Sequence, residues 1–418
     1  MQIQDDASAS KKPIVIYLDS QDYSRLADPP PNKVQFYQEL DAQLSGLVAS
    51  GEIEIRYSAA HISELSHTSN SVTHHSARRA QVLNRLSQGK CLRFWTDILD
   101  NEITAALDPN KNVSFNRDHN QWFEFDFDGL SGFIHNLKNS LQQSLKEKGV
   151  SRKIRRAVGS VNLAHRLTKT ADGLALLDKI VDQINSRYPL ERELDRPTLA
   201  AYIAGTKGEK HFKEYMRGLM ADPVSLISRI APSFDKPLKL PAIIRDQGLI
   251  LINDMNPSLE GMSKLLANLP HDLAFKAIWD DAATMPNTSA RRIRLNAVRQ
   301  RLSEMPGARR RRSRPVDDDT IDRMSLPTLD VLLGAFSLYL GEAISASKAG
   351  RPIRLFEKSD GGDLVHATYI PYVDIFRCDT AWADRFKRLS TRFNTTVVGR
   401  IEDLLPTIER LSRQRQSA

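Results

Sequence analysis

Cysteine is nearly absent: Cys91 and Cys378 are the only two in 418 residues. Two thiols cannot build a disulfide framework or a cysteine-based zinc site, and their scarcity fits a reducing compartment. Both are expected to be small core residues, because free cysteine is usually buried. Long apolar runs are missing too. No stretch approaches the roughly 18 uninterrupted apolar residues that a bilayer span needs, so no membrane partner is expected. Residues 1–12 are polar and at first acidic, without a basic start leading into an apolar run. They do not read as a secretory signal, and a cytoplasmic location is expected. A P-loop, a dinucleotide-binding glycine pattern and a G-x-S-x-G elbow are also lacking, which leaves nucleotide-driven motors and serine hydrolases without support.

What the chain has in excess is positive charge, a net +8 with a pI near 9.3. Such a balance favours polyanionic partners such as nucleic acid, although charge alone assigns nothing without a site beside it. The length suffices for a substantial core and for two to three structural units.

Residues 13–19 (PIVIYLD) form a continuous apolar run ending in an acid, as a strand buried on both faces of a parallel sheet does. A helix is predicted over 34–48, and Gly51 separates it from the alternating strand 52–57 (EIEIRY), completing a βαβ unit. Ser58 is placed to cap the next helix, which carries Glu64. At the other end Gly361 and Gly362 are expected to break the chain and Asp363 to open a short helix over 364–369. A strand over 372–378, ended by Asp379, then a helix over 382–389, a strand over 395–398 and a helix over 401–411 complete the pattern. The middle differs: from about 101 to 319 helical periodicities dominate, broken by Pro and Gly, with 249–252 apolar and ambiguous. A long helix is predicted over 328–347.

Four carboxylates thus fall where strands end or helices begin: Asp19, Glu64, Asp363 and Asp379. In an open α/β sheet the crevice outside the carboxyl ends of the strands binds ligands, and Asp19 and Asp379 should both face it. Clustered carboxylates repel unless cations neutralise them, and their hard oxygens suit Mg²⁺ or Mn²⁺.

These segments resemble the PIN domain family of metal-dependent nucleases. IYLDSQDYSRL (16–26) is similar to the family's opening strand and first acid, and SAAHISELSH (58–67) to its second block with a Glu-Leu pair. DLVHATYIPYVDIFRCDTAWADRF (363–386) resembles the third and fourth blocks together. The resemblance implies a three-layer α/β/α domain with a central parallel sheet, interrupted by a large all-α insertion. Its halves would be residues 1–105 and 325–418, with a basic helical insertion at 106–324. It also implies Asp19, Glu64, Asp363 and Asp379 as catalytic metal ligands, with Asp384 as a fifth carboxylate. Gln21 departs from the Asn common in the family at that position.

The chemistry so implied is phosphodiester hydrolysis at a carboxylate-held Mg²⁺ or Mn²⁺ site, with RNA ahead of DNA as substrate. Arg152, Lys153, Arg155 and Arg156, and Arg309, Arg310, Arg311, Arg312 and Arg314, are the expected phosphate contacts in the insertion; the plainer reading of each run is a solvated surface. A homo-oligomer or a regulatory protein partner remains open. The alternative class is a non-catalytic PIN-like scaffold, which would have no need to assemble repelling acids. His61, Glu64 and His67 recur every three positions, a spacing that is not the HExxH of zinc proteases. His366 is expected to be a satisfied buried histidine. Asp374 is expected to lie within a strand in a hydrogen-bonding or solvent-facing role.

Overall fold

The computed structural model describes residues 12–66, 73–108, 115–117, 122, 196–203, 222–231, 245–267, 289–304, 316–352 and 354–417, with scattered positions between 168 and 218 and residue 242. The nine basic residues named above and His67 lie outside the described residues.

The chain divides into two compact units: Met1–His61, Val82–Trp122 and Arg245–Ala418 form the first, and Ile62–Gln81 with Phe123–Ile244 the second. In chain order the strands of the first unit are Ile14–Tyr17 (β1), Ile53–Ile55 (β2), Cys91–Leu92 (β3), Asn116–Arg117 (β4), Ile375–Arg377 (β5) and Thr396–Val398 (β6). Helices Ser20–Ala27 (α1) and Val34–Ala49 (α2) link β1 to β2, Ala59–Ser66 (α3) and Thr73–Ser87 (α4) each have residues in both units, and Trp95–Leu107 (α5) follows β3. The described helices of the second unit are Arg196–Ile203 (α6) and Pro223–Ile230 (α7), the latter capped by Asp222 on Val224 and Ser225 with Pro at its first position. Back in the first unit come Gln247–Ala267 (α8), Ser289–Glu304 (α9), Asp318–Arg323 (α10), Pro327–Lys348 (α11), Lys358–Ala367 (α12), Thr380–Ser390 (α13) and Leu404–Ser417 (α14).

The chain is therefore mostly helical around a small parallel sheet, ordered β2-β1-β5-β6. β1 is buried at all four positions, which is why its sequence is an unbroken apolar run rather than an alternating one. β3 and β4 form a separate antiparallel pair, and β4 is a short strand inside a stretch whose pattern reads as helical.

The core of the first unit is built on α11, which packs against α5, α8, α12 and α13. Its apolar stretch is also long enough to cross a bilayer by length and composition; here 61% of that window is buried inside the protein. An aromatic stack runs through this core, from Phe356 over Tyr339 (4.0 Å) to Trp382 (5.5 Å) and Phe386 (4.9 Å beyond).

The glycine pair behaves otherwise than its sequence indicates. Instead of breaking the chain, Gly361 and Gly362 lie inside α12, which starts at Lys358 behind a reciprocal capping box of Glu357 and Asp360. The reason is a helix crossing: a Cβ on Gly361 would fall 2.6 Å from the Gly248 carbonyl oxygen of α8, so only glycine lets the two backbones meet. Residues 249–252 are helical for the same packing reason, as part of α8.

Candidate active site at the strand ends

The chain leaves β1 toward β2 on one side and leaves β5 toward β6 on the other, so its direction diverges between two adjacent central strands. In a parallel sheet this divergence opens a crevice at the carboxyl ends of the strands. Tyr17 pairs with Phe376 across β1 and β5, and Asp19 and Asp379 follow closely on their strands. Both acids therefore follow the carboxyl ends of these strands, half-buried.

Each also caps the helix that follows. Asp19 Oδ1 accepts the Gln21 N–H at 2.7 Å, and Asp379 Oδ1 accepts the Trp382 N–H at 2.9 Å. These bonds, with the positive ends of α1 and α13, stabilise two carboxylates that would otherwise repel. The geometry gives both acids the cap while leaving them at the strand ends.

Asp363 does not open a helix, as expected from the glycine pair, but sits half-buried in the middle of α12. The buried thiol of Cys378 responds to all three acids. Its pKa is raised chiefly by burial; Arg377 opposes the rise, and the charges of Asp19, Asp379 and Asp363 add to it. Cys378 is thus a protonated core residue rather than a nucleophile, and three of the four expected carboxylates share its neighbourhood. Among the described residues no three His, Cys, Asp or Glu side chains stand ready, as they lie, to hold one metal ion.

Glu64 is exposed on α3 and belongs to the second compact unit. Asp384 is 86% exposed and pairs with Lys387 Nζ at 3.5 Å on its own helix. Asp374 precedes β5 by one residue instead of lying within the strand; its carboxylate accepts the Val15 N–H at 2.7 Å and pairs with Arg415 at 2.5 Å, a structural tie at the opposite end of the sheet. Asp360 is taken up by its capping box and by Arg354 at 3.3 Å.

Two features beneath the acids were not read from sequence. Asp22, fully buried, forms an ion pair with Arg377 at 3.1 Å, and its Oδ2 accepts the Asp19 N–H at 3.2 Å. Burial raises its pKa to about 7 against the lowering pull of Arg377, with the Asp19 charge adding to the rise. The three-residue spacing of Asp19 and Asp22 is a capping-box signal that would have found it. The second is a polar network across the end of β1. The Tyr17 hydroxyl lies 2.6 Å from Ser58 Oγ and 2.7 Å from His366 Nδ1, while the ring of Tyr17 stacks on Tyr369 at 5.3 Å. His366, one turn after Asp363, thereby ties α12 to β1. His61 is neutral and structural: Nδ1 accepts the Ser58 N–H at 3.0 Å, which leaves Nε2–H to donate to the Leu18 carbonyl at 2.8 Å. Neither nitrogen is left for zinc.

Compared with family models, with curated proteins and with solved structures, the chain matches none.

Proposed function

We propose that this protein is a metal-dependent nuclease with a PIN-like three-layer α/β/α core. The observation that carries the reading is the placement of Asp19 and Asp379 at the divergence of the two central parallel strands, with Asp363 sharing the surroundings of Cys378. Helix caps hold both strand-end acids half-buried, with carboxylate oxygens that suit a cation.

The residues fit Mg²⁺ or Mn²⁺. The donors are carboxylate oxygens, and Mg²⁺ is typically held by one or two carboxylates while it keeps several waters, so a preassembled trio is not required. Asp19 and Asp379 would be the direct ligands, with Asp363 orienting water from α12; Asp384 is a supporting candidate in this reading. The bound ion supplies an activated water and neutralises charge on the phosphoryl group. The chain's own part is to fix the two acids through their caps, to bury Asp22 and Arg377 beneath them, and to hold α12 against β1 through Tyr17 and His366. RNA is the proposed substrate and DNA the alternative, reached through basic residues of the insertion.

A PIN-like scaffold without catalysis is the second reading, favoured by the lack of a ready three-residue metal group among the described residues. Titration with Mn²⁺ followed by electron paramagnetic resonance separates the two. The nuclease reading expects wild type to bind Mn²⁺ and Asp379→Asn to bind it about tenfold or more weakly; wild type that leaves Mn²⁺ free in solution contradicts it.

A further inference from the structure

A second site lies at the other end of the sheet. Glu102 on α5 is 3% exposed, and one of its carboxyl oxygens is fully employed: Oε1 accepts the Thr328 N–H at 2.8 Å and the Tyr372 hydroxyl. Its other oxygen, Oε2, is buried without a hydrogen-bond partner among the described residues. Such a group is costly unless something completes it, since an unsatisfied buried acceptor forfeits the hydrogen bond it made to water. The charge acting on it from Asp330 has the same sign, and burial drives its pKa from 4.5 to about 7.

Glu102 also lines a cavity of about 640 Å³, within the range of small-molecule sites. Phe115, Tyr372, Met324 and Pro327 give it an apolar lining, and the rings of Phe115 and Tyr372 lie 4.9 Å apart and tilted by 33°. One exposed guanidinium, that of Arg323, lines the same cavity; its Nε is bonded to the Asp319 carbonyl at 3.0 Å. Tyr372 comes before β5 whereas Asp379 comes after it, so the cavity is at the amino end of the strand, away from the acidic crevice.

The chemistry required of an occupant follows from these walls. Oε2 calls for an N–H donor, the aromatic pair for a planar ring, and Arg323 for an anion. We infer that this cavity is a binding site for a nucleoside monophosphate, its base set between the aromatic and apolar walls with an N–H toward Glu102, and its phosphate at Arg323. Oε1 is already occupied, so the base needs to offer only a single donor, which each of the common bases possesses. This assignment stands independently of cleavage at the strand ends.

Isothermal titration of the full chain at about pH 8.5, where Glu102 is ionised, with GMP, AMP, CMP and UMP, each beside its nucleoside and beside inorganic phosphate, tests it. At least one nucleotide should bind one to one and more tightly than its nucleoside. Glu102→Gln and Phe115→Ala should each weaken that nucleotide about tenfold or more. Arg323→Gln should instead bring the nucleotide to the affinity of its nucleoside and leave the nucleoside unchanged, an effect that general loss of structure does not produce. Circular dichroism of each variant checks that it is folded. Wild type that binds no nucleotide at about 1 mM, or that binds one as tightly as both Glu102→Gln and Phe115→Ala do, overturns the proposal.

Discussion

Replacing Glu102 by Gln should stabilise the free protein above neutral pH. In the folded state this carboxyl is shielded from water, receives two hydrogen bonds on one oxygen and feels the like charge of Asp330, so burial dominates and its pKa rises from 4.5 to about 7. Between those two values the folded chain keeps a proton that the unfolded chain has released. Stability from this group is thus complete below the unfolded pKa and is lost as pH rises through the folded one. A rise of that size corresponds to ~3 kcal/mol. Gln keeps an acceptor for Tyr372 and Thr328 and cannot ionise, so it imitates the protonated acid at every pH. Urea unfolding of wild type and Glu102→Gln, repeated from about pH 4 to pH 8.5, should give similar midpoints at the acid end. At the alkaline end the variant should lead by ~3 kcal/mol, equivalent to several degrees in melting temperature. A difference that does not vary with pH, or a variant weaker than wild type at the alkaline end, refutes the reasoning.

Other outcomes follow from the same geometry. Arg377→Met leaves Asp22 buried without its cation, so stability should fall by about 3–5 kcal/mol at alkaline pH and by less in acid, where Asp22 folds protonated; melting curves at the two extremes report the difference. Tyr17→Phe removes the hydroxyl joining Ser58 to His366 and should cost about 1–3 kcal/mol in thermal unfolding, with reduced cleavage because α12 loses its tie to β1. Gly248→Ala places a methyl 2.6 Å from the Gly361 carbonyl oxygen and should destabilise by about 1–3 kcal/mol or more. Gly261→Ala in the same helix meets no atom within 4 Å and should instead stabilise by about 0.5–1 kcal/mol, so equal melting shifts for the two would discount the crossing.

The four strands of the parallel sheet and the acids that follow β1 and β5 were legible because their signals are local. An apolar run closed by an acid places Asp19 and Asp379, and β1 and β5 lie inside the segments so read. α2, α11 and α13 likewise follow from apolar spacing within their own residues, α13 with the Asp379 cap besides. What escaped depends on partners distant in sequence. Gly361 meets Gly248, more than a hundred residues earlier, so a glycine pair that reads as a break lies inside α12 as a packing contact. Asp363 moved with that helix, from an opening position to its middle. Tyr17, Ser58 and His366 look unremarkable separately, since their network exists only once β1, α3 and α12 have assembled. Glu102 resembles any other acid on a helix until Tyr372 and Thr328 enclose it. Asp384, placed in the motif by position, is exposed and pairs with Lys387 on its own helix.

Metal-dependent phosphodiester cleavage through Asp19 is tested with labelled single-stranded RNA and DNA, using wild type and Asp19→Asn, each in Mn²⁺, Mg²⁺ or EDTA. Wild type should cut RNA with either metal, EDTA should stop it, and Asp19→Asn, though folded, should not cut. Wild type that binds nucleic acid without cutting it in any metal, or an Asp19→Asn protein as active as wild type, would contradict it.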